Sequence, residues 1–124
     1  HRDHGAGPFG ADDALQHGQF LELGRSCVRA EYRSNATIQF LWKGIAEYVD
    51  QHKVSYLFGC ASLPGTDIAA HAEALSYLYH NFRAPEELCV YAVPSRHVEM
   101  NIMPADQIRE RDVVKELPPL IKGY

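Results

Sequence analysis

The residues between Gln19 and Trp42 are ordered in a way that can support chemistry. The turn Arg33-Ser34-Asn35-Ala36-Thr37 is small or polar throughout and stands where a strand-like phrase gives way to a helical one. A helix start directs free N–H groups and the positive end of its dipole outward, so this turn is a candidate anion site. Upstream, Glu22 and Arg25 flank Gly24. Strict strand alternation sends them to opposite faces, whereas a β-bulge at Gly24 turns both the same way. Cys27 and Cys60 invite a nucleophile reading with His71 as base. Each thiol sits in an apolar or β-branched phrase, however, and with Cys89 they form an odd, widely spaced set without C-x-x-C spacing. Buried free thiols in a reducing compartment are the expectation. His52, His71, His80 and His97 never fall three or four apart on a shared helix face, and no metal site is expected.

Elements that would position these residues follow from periodicity. QFLELGRSCV, residues 19–28, alternates as a strand, with Gly24 interrupting it. From about Ala36 to His52, Ile38, Leu41, Trp42, Ile45, Tyr48 and Val49 recur on one face of an amphipathic helix, with Ser34 or Asn35 as cap. VSYLFGCAS, residues 54–62, is continuously apolar and predicts an interior strand, parallel to the first through a right-handed crossover. LPGTDIAAHAEALSYLYHNF predicts a turn, a cap at Thr66 or Asp67, and a second helix burying Ile68, Ala72, Leu75, Leu78 or Tyr79, and Phe82. LCVYAV predicts a third strand over about 88–93. Beyond Pro94, HVEMNIM reads as a short strand, ADQIRERD as a short helix, and VVKELPPLIKGY as extended or turn. Residues 1–18, rich in glycine and without period, predict a loop with at most one turn.

Composition bounds the function classes. A chain of 124 residues, 46% hydrophobic and 23% charged, fits one soluble globular domain over residues 19–124. No apolar run reaches the roughly 18 residues of a membrane span, and no signal peptide is visible. A net charge of −4 argues against a nucleic-acid binder, and a cytoplasmic location is expected. Between Gly24 and Gly44 the balance reverses: Arg25, Arg29, Arg33 and Lys43 stand against Glu31 alone, a local +3.

VRAEYRSNATIQFLW, Val28 to Trp42, resembles the acyl-donor motif of the GNAT-fold N-acyltransferases. ELGRSCV with Tyr32-Arg33, GCASLPGTDIAAHAEALSYLYH, HVEMN and LPPLIKGY, in that order, are similar to the ornithine N-acyltransferases, often labelled hemolysin-like, which use acyl carrier protein. The resemblance covers about Phe20 to Tyr124. It implies an α/β fold, a GNAT-like mixed sheet flanked by helices, here a partial copy without the N-terminal strands and part of a longer chain. It also implies transfer of a (3-hydroxy)acyl group from carrier-bound phosphopantetheine to the α-amine of an amino acid such as ornithine, in aminolipid synthesis. The partners implied are acyl carrier protein, the amino-acid acceptor and, through the product, the membrane periphery.

Site residues carry over position by position. The Glu and Arg of an E-x-x-R pair fall on Glu22 and Arg25, with Glu22 as general base for an amine of pKa about 8; a structural ion pair is the competing role. Tyr79 matches a tyrosine that protonates the leaving thiolate, or is a core aromatic. Cys27, Val28, Arg33, Ser34, Asn35, Ala36 and Thr37 form the donor site, with backbone N–H groups freed near Cys27 and Val28 by the bulge. Ser34, Ala36 and Ile38 replace the usual glycines of the donor turn, which favours a single phosphate over a pyrophosphate. No tightly bound cofactor is expected. The alternatives are a coenzyme A-dependent acetyltransferase of the same fold and a non-catalytic hemolysin-like factor.

Overall fold

The computed structural model describes residues 18–124. The predicted loop over residues 1–18 lies outside the described residues except for Gly18. Contacts divide the chain into two units, one holding the described residues up to Ser62 with Pro118–Tyr124, the other Leu63–Leu117.

The first unit is built on β1 (Phe20–Glu22) and β2 (Tyr56–Phe58), paired in parallel with Phe20 opposite Tyr56, Leu21 opposite Leu57 and Glu22 opposite Phe58. Helix α1 (Asn35–His52) connects them, giving the β–α–β order that parallel pairing requires. On one side of the pair the Phe20 ring stacks on Tyr56 at 5.0 Å and meets Phe58 edge-on at 6.4 Å. Backbone bonds extend the ladder at both ends: Ser55 N and Tyr56 N donate to the Gln19 carbonyl, and Leu23 N donates to the Phe58 carbonyl at 2.8 Å. Both strands are shorter than predicted. Apolar character continues past them, but no ladder pairs residues 24–28 with 60–62, and Arg25 adopts a left-handed backbone, φ 52°, that takes the chain out of extended conformation. The expected bulge at Gly24 is thus a strand end.

Helix α1 follows the prediction closely. Ser34 is its N-cap, and Lys53 in the left-handed region ends it. Its apolar stripe is only half covered: Ile38, Trp42, Ile45 and Val49 are half-buried, while Leu41 and Tyr48 remain exposed. Pro118-Pro119 opens a short helix, α4 (Pro119–Gly123), where an extended or turn segment was expected. Proline at the first helical position loses no hydrogen bond, because that N–H has no intrahelical partner. The end of α4 rests on α1, with the Tyr124 ring edge-on to Trp42 at 5.4 Å. Gly123 lies so close to the Trp42 indole that any Cβ there would collide with it.

The second unit holds α2 (Ala72–Phe82), preceded by a 3-10 turn at Ala69–His71, and α3 (Glu110–Glu116). Asp67 serves the predicted turn by accepting from Ala69 N at 3.1 Å. The core here contains Tyr77, Cys89, Val113 and Leu117. Ser76 is completely buried, and its hydroxyl donates to the Met100 carbonyl while accepting from Ile102 N and Met103 N, which fills its hydrogen-bonding capacity. That fastening holds residues 100–103 as irregular chain where HVEMNIM was read as a strand. The third predicted strand, LCVYAV, is also absent. Val90 is 82% exposed and Tyr91 and Val93 are exposed, because no strand among the described residues of this unit offers a ladder. Of the helix face predicted to be buried, Ile68 and Phe82 are exposed instead.

Among the described residues no helix is long and apolar enough to cross a membrane.

Candidate functional site

The turn before α1 folds as a network of short-range bonds. Arg33 Nε donates to the Val28 carbonyl at 3.0 Å, drawing the two ends of segment 28–33 together around the 3-10 turn Ala30–Tyr32. Ser34 Oγ accepts from Thr37 N at 3.3 Å, and the Thr37 hydroxyl donates to the Tyr32 carbonyl at 2.6 Å. The cap consumes one of the helix's unpaired N–H groups. Asn35 N and Ala36 N, the first two of the helix, have no intrahelical partner.

Against this turn lies a cavity of about 370 Å³ lined by Val28, Arg33, Ser34, Asn35, Thr37, Ile38 and Pro119. Five of the seven predicted donor-site residues therefore share one wall: Val28, Arg33, Ser34, Asn35 and Thr37. Cys27 and Ala36 are exposed and do not line it. Ile38, named above only as a position of the donor turn and of the helix face, also lines it, as does Pro119. Ile38 was legible as the next inward position of α1, but nothing local could have placed Pro119, more than eighty residues further along, beside it.

Glu22 ends β1 with an exposed side chain turned back over Gly24, its Oε1 3.4 Å from where a Cβ would stand there. Among the described residues no ion pair joins it to Arg25. The alternative role of a structural Glu22–Arg25 pair is therefore not realised. Arg29 pairs at 4.0 Å with Glu31, both largely exposed, so the basic stretch 25–43 is only weakly neutralised.

Tyr79 belongs to α2 in the second unit. Half-buried, it carries the Arg83 guanidinium over its ring at 5.3 Å and meets His80 edge-on. A charge interaction with Tyr79, and after it a hydrogen bond to Cys89, holds Arg83 above the usual arginine range. His71 Nε2 donates to the Pro64 carbonyl at 2.6 Å, which ties the ring to the turn before α2. Of the three thiols only Cys89 is buried. Cys27 and Cys60 are exposed, because the strands expected to bury them end at Glu22 and Phe58. No group of metal-ligating side chains occurs among the described residues.

Residues 6–43, which include the capped turn and the first part of α1, match the acetyltransferase (GNAT) domain family. Over 106 residues, 86% of the chain, the sequence is 46% identical to an L-ornithine N(alpha)-acyltransferase of Brucella abortus. It is 44% identical to one of Agrobacterium fabrum and 39% identical to one of Rhodobacter capsulatus over the same share. The chain is homologous to these acyltransferases. It spans 36–40% of the length of the three L-ornithine N(alpha)-acyltransferases. The expected α/β, GNAT-like architecture stands with these matches, here as a two-stranded parallel sheet with helices. No solved structure matches.

Proposed function

We propose that this chain is the donor-binding portion of an N-acyltransferase that moves a (3-hydroxy)acyl group from the phosphopantetheine of acyl carrier protein to the α-amine of an amino acid such as ornithine. One observation carries the reading: in a chain homologous to ornithine acyltransferases, Val28, Arg33, Ser34, Asn35 and Thr37 converge on one cavity at the start of α1.

The size of the anion site favours the donor. With Thr37 N taken by the cap, the helix start offers Asn35 N and Ala36 N, supplemented by the Arg33 charge. That set suits one phosphate better than a pyrophosphate. Arg33 lines the cavity, and with Arg25, Arg29 and Lys43 it belongs to a basic stretch of sequence whose positive charge suits an acidic carrier.

In the reaction the acceptor amine attacks the thioester carbon. A C–N bond forms, the C–S bond breaks, and the electron pair leaves on sulfur. Glu22, exposed at the end of β1, takes the amine proton directly or through one water, and Arg25 is carried over with it as the second residue of the E-x-x-R motif. By the family resemblance alone, Tyr79 is the candidate donor of a proton to the departing thiolate.

A second reading is coenzyme A-dependent acetyl transfer, favoured by the acetyltransferase family matched over residues 6–43. Incubating the full-length protein with ornithine and either 3-hydroxyacyl carrier protein or acetyl coenzyme A separates them. Acylornithine from the carrier supports the proposal, and product from acetyl coenzyme A alone overturns it.

A further inference from the structure

The parallel ladder stops abruptly. After Leu23 N donates to Phe58, the next bond of the series would run from Cys60 N to the Leu23 carbonyl, and it is absent among the described residues. The strands part there, and the Tyr124 hydroxyl stands at the parting. A Cβ built on Gly59 would lie 2.5 Å from Tyr124 Oη and 2.6 Å from the Leu23 carbonyl oxygen, so only glycine leaves room for both. Tyr124 is aimed by its edge-on contact with Trp42 and by the packing of Gly123 on the indole. Its hydroxyl makes no hydrogen bond to the described residues.

The two ends of α4 connect this point to the cavity. Pro119 lines the cavity at the start of α1, and Tyr124 follows the last residue of α4, a rise of roughly 7 Å along the helix. An extended ligand with a phosphate at one end and amides further along could meet both.

We propose that Tyr124 is a positioning residue of the donor site, its hydroxyl donating a hydrogen bond to an amide carbonyl of the pantetheine chain. This rests on the donor reading above. Desolvation, with the Cys60 thiol nearby, holds the Tyr124 hydroxyl above the usual tyrosine range.

The test uses the full-length protein and S-octyl phosphopantetheine, a thioether that cannot transfer its chain, with binding measured by calorimetry. Tyr124→Phe keeps the ring on Trp42 and should bind the thioether about fivefold more weakly, the equivalent of one neutral hydrogen bond. In acyl transfer it should raise KM for the donor by a similar factor with kcat little changed and an unaltered thermal melt. Wild-type binding with an equally tight Tyr124→Phe variant overturns the role of Tyr124 alone. Wild-type protein that does not bind the thioether overturns the donor reading and this role together.

Discussion

Ser34 and Thr37 are tied twice: the Ser34 hydroxyl oxygen accepts from the Thr37 backbone N–H at 3.3 Å and lies 3.2 Å from the Thr37 hydroxyl. Because the Thr37 hydroxyl also reaches the Tyr32 carbonyl, side chains fix a turn for which the resemblance leads one to expect glycines. The turn is held open beside Arg33 without a left-handed residue between Ser34 and Ile38. What is given up is one anion-binding N–H.

Arg33 is then the principal cation of the cavity. Arg33→Ala should raise KM for a carrier-bound donor by roughly tenfold, and the penalty should shrink as salt screens the lost charge. Kinetics at low and high ionic strength check this. A loss independent of salt would mean that the bond from Arg33 Nε to the Val28 carbonyl, and hence loop packing, is what matters.

Glu22→Gln should lower kcat by roughly 10²-fold or more while leaving the far-UV spectrum and melting temperature unchanged, since the side chain is exposed. An unaltered rate would remove Glu22 from the chemistry.

Ser76→Ala should destabilise the protein by roughly 2–3 kcal/mol, because Ile102 N, Met103 N and the Met100 carbonyl lose a common partner in a dry site. Urea unfolding measures it. A cost under about 0.5 kcal/mol would show that segment 100–103 is held by other contacts, such as His80 on the Met103 carbonyl.

Glu73 accepts from the Arg109 backbone N–H at 2.7 Å and from its guanidinium at 3.2 Å, and these bonds hold its carboxyl below the usual glutamate range. A depressed folded-state value means stability that is full above the unfolded value of about 4.3 and is lost as pH falls through the folded one. Glu73→Gln should therefore flatten the acid limb of a stability–pH curve below about pH 4.3. An acid limb identical to that of the wild type would contradict this assignment.

How far the sequence was legible depends on how local each feature is. Helix α1, its cap Ser34 and the polar turn before it were readable because capping and the 3.6-residue period act within a few positions. Strand ends were not. Residues 24–28 and 88–93 have strand-like side chains, yet a strand exists only where a neighbour supplies a ladder, and none does there. Cys27 and Cys60 were misplaced for the same reason. Pro119 and Tyr124 escaped notice because Pro118-Pro119 reads locally as a breaker, whereas here it starts the helix that lines the cavity and reaches the strand end.

A crystal structure of the full-length protein with S-octyl phosphopantetheine bound tests the donor site at the start of α1. The predicted result is a single phosphate against Asn35 N, Ala36 N and Arg33, with the chain running past Leu23 and Gly59 toward Tyr124. A phosphate bound away from the start of α1 would contradict it.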